Sequence, residues 1–238
     1  EPAAMSRESH CTVIFVRYPE KGAVKSRLAP FLDAGFIVAL YESFVLDLLT
    51  LLAGSGHPFR IAFTPAEREK EVFERFGLHE GFPQCGTDLG ERMKNAFRSC
   101  FFEGFTSVVL IGSDIPDLPP EILAEAFAAL DDHDAVIGPA LDGGYYLIGF
   151  RQESFLPEAF EGIAWGTGEV FAQTMGALAR AAGSVRVLDR RRDVDTPEDL
   201  RDLIRRNRGT PFARSRTMAC LASGAAPGAL ETAPRRGA

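Results

Sequence analysis

The sequence predicts a single three-layer α/β/α domain, in which helices cover both faces of a mostly parallel sheet. Short runs of β-branched and aromatic residues alternate with longer segments whose apolar residues recur at helical spacing, which is typical of repeated strand–helix units. The chain has 238 residues, of which 46% are hydrophobic, and no internal repeat or interior linker divides it. This length is sufficient for one domain with a large core.

The elements follow in chain order. The predicted strands cover residues 11–16, 59–63, 107–111, 135–138, 145–150 and 185–188, all of them short and apolar. The predicted helices cover residues 36–52, 67–76, 88–102, 120–130, 169–182 and 197–206. Two helix starts carry capping signatures, since Asp88 is followed three residues later by Glu91, and Thr196 by Pro197 and then Asp199.

The most apolar segment, residues 36–54, is predicted to be a packed amphipathic helix rather than a membrane span. Glu42, Ser43 and Asp47 interrupt it, and its apolar residues keep helical spacing. The four cysteines form no Cys-x-x-Cys pair, which excludes a disulfide framework and a zinc knuckle and favours a reducing compartment. We therefore predict a cytoplasmic protein.

Charge divides the chain unevenly. The formal net charge is −7, yet residues 201–238 contain eight basic and two acidic side chains. We predict a fraying N-terminus over 1–10, a domain over 11–208, and a partly disordered basic tail over 209–238, because the last residues offer almost no apolar surface to offset ordering. This composition excludes a wholly disordered protein and does not suggest a nucleic-acid binder.

Ligands of open α/β sheets bind where the carboxyl ends of the strands meet the loops. The loop after the first predicted strand contains Arg17, Lys21, Gly22, Lys25 and Arg27, with one carboxylate among four cations. Lysine and arginine bind phosphate, and a glycine turn lets backbone N–H groups approach it. The pattern therefore indicates a phosphate site, although a solvated surface loop has the same composition. Neither a dinucleotide fingerprint nor a P-loop is present.

Carboxylates follow two other strands. Asp114 ends the apolar run 107–111, and burying it requires a cation or hydrogen bonds. Mg²⁺ prefers hard oxygen ligands and commonly joins carboxylates to phosphates, but a capped turn before Pro116 is the alternative. Asp193 and Asp195 lie on one side of an extended segment and are further candidate metal ligands. Their alternative partners are the neighbouring arginines.

Two more segments have both structural and functional interpretations. Asp142 and Gly143 are typical of a hairpin turn, while Gly144 and Tyr145 beside them could form a floor for a bulky substrate. Asp88 is first a helix cap, and Arg92, one turn into the same helix, could face a phosphate.

Together these motifs resemble the DUF2064 family, whose members have the glycosyltransferase-A-like, nucleotide-diphospho-sugar transferase fold and are related to molybdenum-cofactor and 2-phospho-lactate nucleotidylyltransferases. The resemblance spans about residues 11–204. It rests on the segments 19–28, 88–93, 112–116, 138–147 and 193–196. The sequence departs from the family at Arg17, where lysine is usual, and at Ser26, where threonine is commoner.

The resemblance implies a nucleotide over the first strands and a divalent metal, Mg²⁺ or Mn²⁺, on Asp114, with the 193–195 segment completing the site. The resulting candidates fall into four groups. The catalytic candidates are Lys25, Arg27 and Asp142, the last as a base for the acceptor. The nucleotide-binding candidates are Arg17, Lys21, Gly22, Lys25, Arg27, Asp88 and Arg92. The acceptor-binding candidates are Asp142, Gly143, Gly144 and Tyr145. The metal candidates are Asp114, Asp193 and Asp195.

We predict a metal-dependent transferase that uses a nucleotide-diphospho-sugar donor and a small-molecule acceptor. The alternative is a nucleotidylyltransferase acting on a nucleoside triphosphate, because four cations exceed what a diphosphate requires. A third hypothesis is a nucleotide-binding regulatory protein without turnover, since the sequence contains no evident protein nucleophile. Pyrophosphate release separates the second hypothesis from the first.

Overall fold

The predicted strands meet in one seven-stranded sheet. The computed structural model describes residues 10–77, 80–181 and 183–224. The strands are β1 (His10–Arg17), β2 (Phe59–Thr64), β3 (Gly81–Pro83), β4 (Ser107–Ile111), β5 (Ala135–Pro139), β6 (Tyr145–Arg151) and β7 (Val185–Val187). Their order is β3-β2-β1-β4-β6-β5-β7. Among the described pairings β6 is antiparallel to both neighbours and the others are parallel, which confirms the mostly parallel sheet.

Helices cover both faces of this sheet. They are α1 (Ala34–Gly54), α2 (Glu69–Phe76), α3 (Leu89–Phe102), α4 (Pro120–Asp132), α5 (Val170–Arg180), α6 (Pro197–Arg206) and α7 (Arg216–Gly224). One core cluster joins the strands to α1, α2, α4, α6 and α7, and a second joins the opposite face to α3 and α5. The three-layer prediction is therefore confirmed.

The α1 helix is long and apolar enough to cross a membrane by length and composition alone. In the fold, one side of it packs into the domain core. Eight of its residues are buried, namely Ile37, Leu40, Tyr41, Phe44, Val45, Leu48, Leu49 and Leu52. This burial agrees with the predicted packed helix.

The structure extends the domain beyond the predicted boundary at residue 208. Helix α7 packs against α1, and its Leu221 is 4% exposed. Asp47 of α1 accepts hydrogen bonds from the backbone N–H groups of Arg216 at 3.0 Å and Thr217 at 2.8 Å, so it caps α7 from a distant part of the chain. Ser215 also caps α7 locally, accepting from the N–H of Met218 at 3.1 Å, so the tail prediction missed a helix whose start the sequence does mark. The predictions for residues 1–9 and 225–238 lie outside the described residues.

Candidate functional site

A cleft of about 650 Å³ opens at the edge of the sheet where β1 and β4 end. Loops that follow β1, β4, β5 and β7 border it, together with the start of α3 and residues 165–168. This is the edge at which open α/β sheets bind ligands, so the cleft lies where that rule predicts a site.

Lys25 joins three of these loops. Its backbone adopts the left-handed conformation with φ of 48°, and its side chain is only 3% exposed. The ammonium donates to Asp114 Oδ1 at 2.5 Å and to Asp195 Oδ1 at 2.9 Å. Burial by itself lowers the pKa of Lys25, but the two carboxylates outweigh it and raise this pKa above its ordinary value. The ammonium is therefore held charged beneath the cleft.

The backbone reinforces this junction. The N–H of Val194 donates to the carbonyl of Asp114 at 2.9 Å, which fastens the segment after β7 to the end of β4. Thr196 and Asp199 form the predicted capping box at the start of α6, and Asp199 also accepts from the N–H of Asp195 at 3.2 Å. The capping residues are therefore structural, and they hold Asp195 in place.

Carboxylates outnumber the buried ammonium here. Burial is the largest cause that raises the pKa of Asp193 to about 7, followed by the negative charges of Asp142, Asp195 and Asp114. Arg27 partly balances Asp195, with Nη1 3.6 Å from Oδ2, but its side chain is 67% exposed. Negative charge is thus concentrated on one side of the cleft.

A divalent cation fits this donor chemistry only with help from a substrate. Among the residues that the structure describes, no three histidine, cysteine or carboxylate side chains converge to hold a metal ion. Lys25 lies between the nearest oxygens of Asp114 and Asp195. Mg²⁺ typically takes one or two carboxylates and completes its shell with phosphates and water, so the protein supplies part of such a shell.

Most of the predicted site residues line the cleft, and four do not. Those that do are Arg17, Lys25, Arg27, Arg92, Asp114, Asp142, Gly144, Tyr145, Asp193 and Asp195. Asp88 instead caps α3, accepting from the N–H of Glu91 at 2.8 Å. Lys21 and Gly22 lie in the exposed turn after β1, where Gly22 has φ of +79°. Gly143 packs against Gly168, which does line the cleft.

Several lining residues were not predicted. Among them are Thr64, Gln84, Leu89, Met93, Trp165 and Thr167. Gln84 follows the three-residue strand β3, which the sequence pattern did not predict. Trp165 is half-buried and lines the cleft. No local pattern marks these side chains, because strands and helices distant in sequence bring them together.

The fold and the charged rim define a protein of the nucleotide-diphospho-sugar transferase fold class. The chain belongs to the DUF2064 family, described as an uncharacterized protein conserved in bacteria, whose model matches residues 48–167. The family resemblance drawn from the motifs is therefore confirmed.

Similar proteins agree with this class. A candidate nucleotide-diphospho-sugar transferase from Desulfovibrio desulfuricans G20 has a crystal structure with 42% sequence identity and a TM-score of 0.89, covering 93% of this chain and 96% of that one. The 3-phospho-D-glycerate guanylyltransferase of Phenylobacterium zucineum (strain HLK1) is 29% identical over 188 residues, which are 76% of this chain and 84% of that enzyme.

A cytidylyltransferase from Leptospira borgpetersenii serovar Hardjo-bovis (strain JB197) shares the fold with a TM-score of 0.55, covering 97% of this chain and all of that one, at 14% identity. The first two proteins are transferases by name, which confirms the prediction of a transferase.

Proposed function

We propose that this protein is a metal-dependent nucleotidyltransferase that moves a nucleoside monophosphate from a nucleoside triphosphate to a small-molecule acceptor. The observation that carries the proposal is the meeting of Lys25 with Asp114 and Asp195 at one end of the cleft. The likeness to a guanylyltransferase over 76% of the chain supports nucleotidyl transfer over the glycosyl transfer that we first expected.

In this reaction an acceptor oxygen attacks the α-phosphorus of the nucleoside triphosphate. The bond between that phosphorus and the oxygen that bridges it to the β-phosphorus breaks, and pyrophosphate leaves. The electron pair of the broken bond stays on the pyrophosphate. If the attacking group is a hydroxyl, its proton passes to Asp142, which lines the cleft. The chain needs no covalent nucleophile for such a transfer, because positioned charges stabilise the transition state.

The charged residues divide this work. Lys25 is held as a fixed positive charge, and Arg17, Arg27 and Arg92 are the other cations that line the cleft in the described part of the chain. We assign them to the phosphates. Asp114, Asp193 and Asp195 would hold Mg²⁺ or Mn²⁺ with phosphate oxygens, and the bound ion would supply further neutralisation of the triphosphate. Because the four cations that line the described cleft are matched by four carboxylates, a bound divalent cation would add the net positive charge that a triphosphate needs.

Pyrophosphate release tests the proposal. We would incubate the full chain with GTP, CTP, ATP or UTP, with Mg²⁺ or Mn²⁺, and with acceptors that include 3-phospho-D-glycerate. We expect metal-dependent release from at least one triphosphate and none when EDTA removes the metal. Nucleotide binding without product from any donor would instead support the regulatory hypothesis.

Glycosyl transfer stays a second candidate because the 42%-identical protein is described as a candidate nucleotide-diphospho-sugar transferase. The same incubation with UDP- and GDP-sugars distinguishes the two. A glycosyltransferase would release the nucleoside diphosphate and no pyrophosphate, which would overturn nucleotidyl transfer.

A further inference from the structure

We infer that the acceptor carries a ring or another flat apolar face, which packs against a surface of the cleft that we call the aromatic wall. The aromatic wall consists of Leu89, Met93, Tyr145 and Trp165, all of which line the cleft. The inference rests on the proposed function, because it names the substrate class of that same site.

The aromatic wall is continuous across three segments of the chain. The rings of Tyr145 and Trp165 meet edge to face, with centroids 6.4 Å apart and planes at 76°. The hydroxyl of Tyr145 lies 3.8 Å from the sulfur of Met93. A Cβ on Gly90 would stand 2.7 Å from Trp165 Cζ2, so the missing side chain lets the indole lie directly on α3. Leu89, 44% exposed, extends this apolar surface.

Most of the positive charge that lines the cleft lies on segments other than those of the aromatic wall. Among the described residues, Arg17 ends β1 and Lys25 and Arg27 lie on the loop after it, while Arg92 is the one lining cation on α3, where its Nε donates to the carbonyl of Gly86 at 3.2 Å. The turn that carries Asp142 packs through Gly143 against Gly168, three residues from Trp165. An anion beside this carboxylate would be repelled, whereas a neutral ring would not be.

Hydrogen bonding places the nucleobase elsewhere in the cleft. The hydroxyl of Tyr145 faces sulfur, and that of Thr167 donates to Ala164 at 2.8 Å, so neither hydroxyl is offered to the polar edge of a base. Beyond β3, the amide nitrogen of Gln84 donates to the carbonyls of Ala62 at 2.8 Å and Val16 at 3.4 Å. Its side-chain oxygen is left to accept from a base, so we place the base there.

The single tryptophan reports directly on this surface, because Trp165 is the one tryptophan in the sequence. We would titrate the full chain with phenyl β-D-glucoside, which is neutral and carries a ring and hydroxyls, and with 3-phospho-D-glycerate, and follow indole emission. We expect a saturable change with the glucoside and none with the phosphoglycerate. No saturable change with the glucoside, or a change with the phosphoglycerate alone, would overturn the inference.

Two variants on the same helix sharpen the result. Leu89→Ser removes part of the aromatic wall from a half-exposed position, and we expect the glucoside to bind about fivefold more weakly. Phe102→Ser is the matched control, since Phe102 is 94% exposed at the far end of α3 and does not line the cleft. Equal weakening in both variants would contradict the assignment.

Failure of the inference is distinguishable from failure of the proposed function. Pyrophosphate release with 3-phospho-D-glycerate, together with unchanged emission in the glucoside titration, would reject the ring-bearing acceptor and keep nucleotidyl transfer. Glucoside binding without pyrophosphate release from any triphosphate would leave a ring-binding surface but reject its role as an acceptor site.

Discussion

The two sides of the cleft are built on different physical principles. On one side the ammonium of Lys25 is buried, which would be costly without the more exposed carboxylates of Asp114 and Asp195 that receive it. On the other side the aromatic wall depends on close packing, with Gly90 making room for the indole. The charged side therefore suits the phosphates that every nucleotide shares, whereas the apolar side can discriminate between acceptors.

The charged side is expected to dominate catalysis. Replacing Lys25 by methionine removes the buried ammonium and leaves Asp114 and Asp195 facing each other, so we expect kcat/KM for pyrophosphate release to fall by about 100-fold. Steady-state kinetics with the triphosphate that proves active would measure this loss. Lys21→Met is the control, because Lys21 shares the loop but is exposed and does not line the cleft. Equal losses of kcat/KM in both variants would show that the buried ammonium of Lys25 has no specific role in the reaction.

Asp114 tests the proposed metal side of the same centre. Asp114→Asn keeps the shape of the side chain but removes its charge, and we expect metal-dependent nucleotide binding to weaken at least about tenfold. Isothermal titration calorimetry with and without Mg²⁺ measures this change. Asp88→Asn should bind as the unmodified chain does, because asparagine caps a helix nearly as well as aspartate. Unchanged binding by the Asp114 variant would contradict a metal role.

A metal ion on Asp114 and Asp195 would compete with Lys25 for their carboxylate oxygens. The ammonium occupies Oδ1 of both Asp114 and Asp195, so in the absence of nucleotide we expect Lys25→Met to bind Mn²⁺ about tenfold more tightly than the unmodified chain. Electron paramagnetic resonance of free Mn²⁺ measures this affinity without any turnover. Weaker Mn²⁺ binding by the variant would mean that the ammonium organises the carboxylates rather than blocking them.

The apolar side should respond through stability. Gly143 has φ of +92°, and a Cβ there would stand 2.1 Å from the carbonyl oxygen of Gly168, three residues after Trp165. We expect Gly143→Ala to lower Tm by about 10 °C. Gly22→Ala is the matched control. Gly22 also has positive φ, at +79°, but a Cβ at this position would meet no atom within 4 Å. We therefore expect Gly22→Ala to cost only the conformational strain of about 1–2 kcal/mol, which lowers Tm by about 4 °C. Equal drops in Tm for the two variants in thermal melts would exclude a steric contact between a Cβ at position 143 and Gly168.

Local patterns predicted most of the architecture and part of the site. The capping signatures at Asp88 and Thr196 correctly located the starts of α3 and α6, because a cap depends on residues three positions apart. The same local pattern could not distinguish a helix cap from a nucleotide ligand. Asp88 was among the predicted nucleotide-binding residues, yet its carboxylate accepts from the N–H of Glu91 at the start of α3. Strand β3 was missed because three residues carry too little periodicity.

The sequence by itself determined the alternation of strands and helices, and it placed charged loops at the carboxyl ends of the strands, because periodicity and capping are properties of neighbouring residues. Only the tertiary structure decided which charges meet: Lys25 lies 89 positions from Asp114 and 170 from Asp195 along the chain. It also decided that Asp47 caps α7 and that Trp165 lies on Gly90. Such contacts depend on how distant elements pack, and no local spacing encodes them.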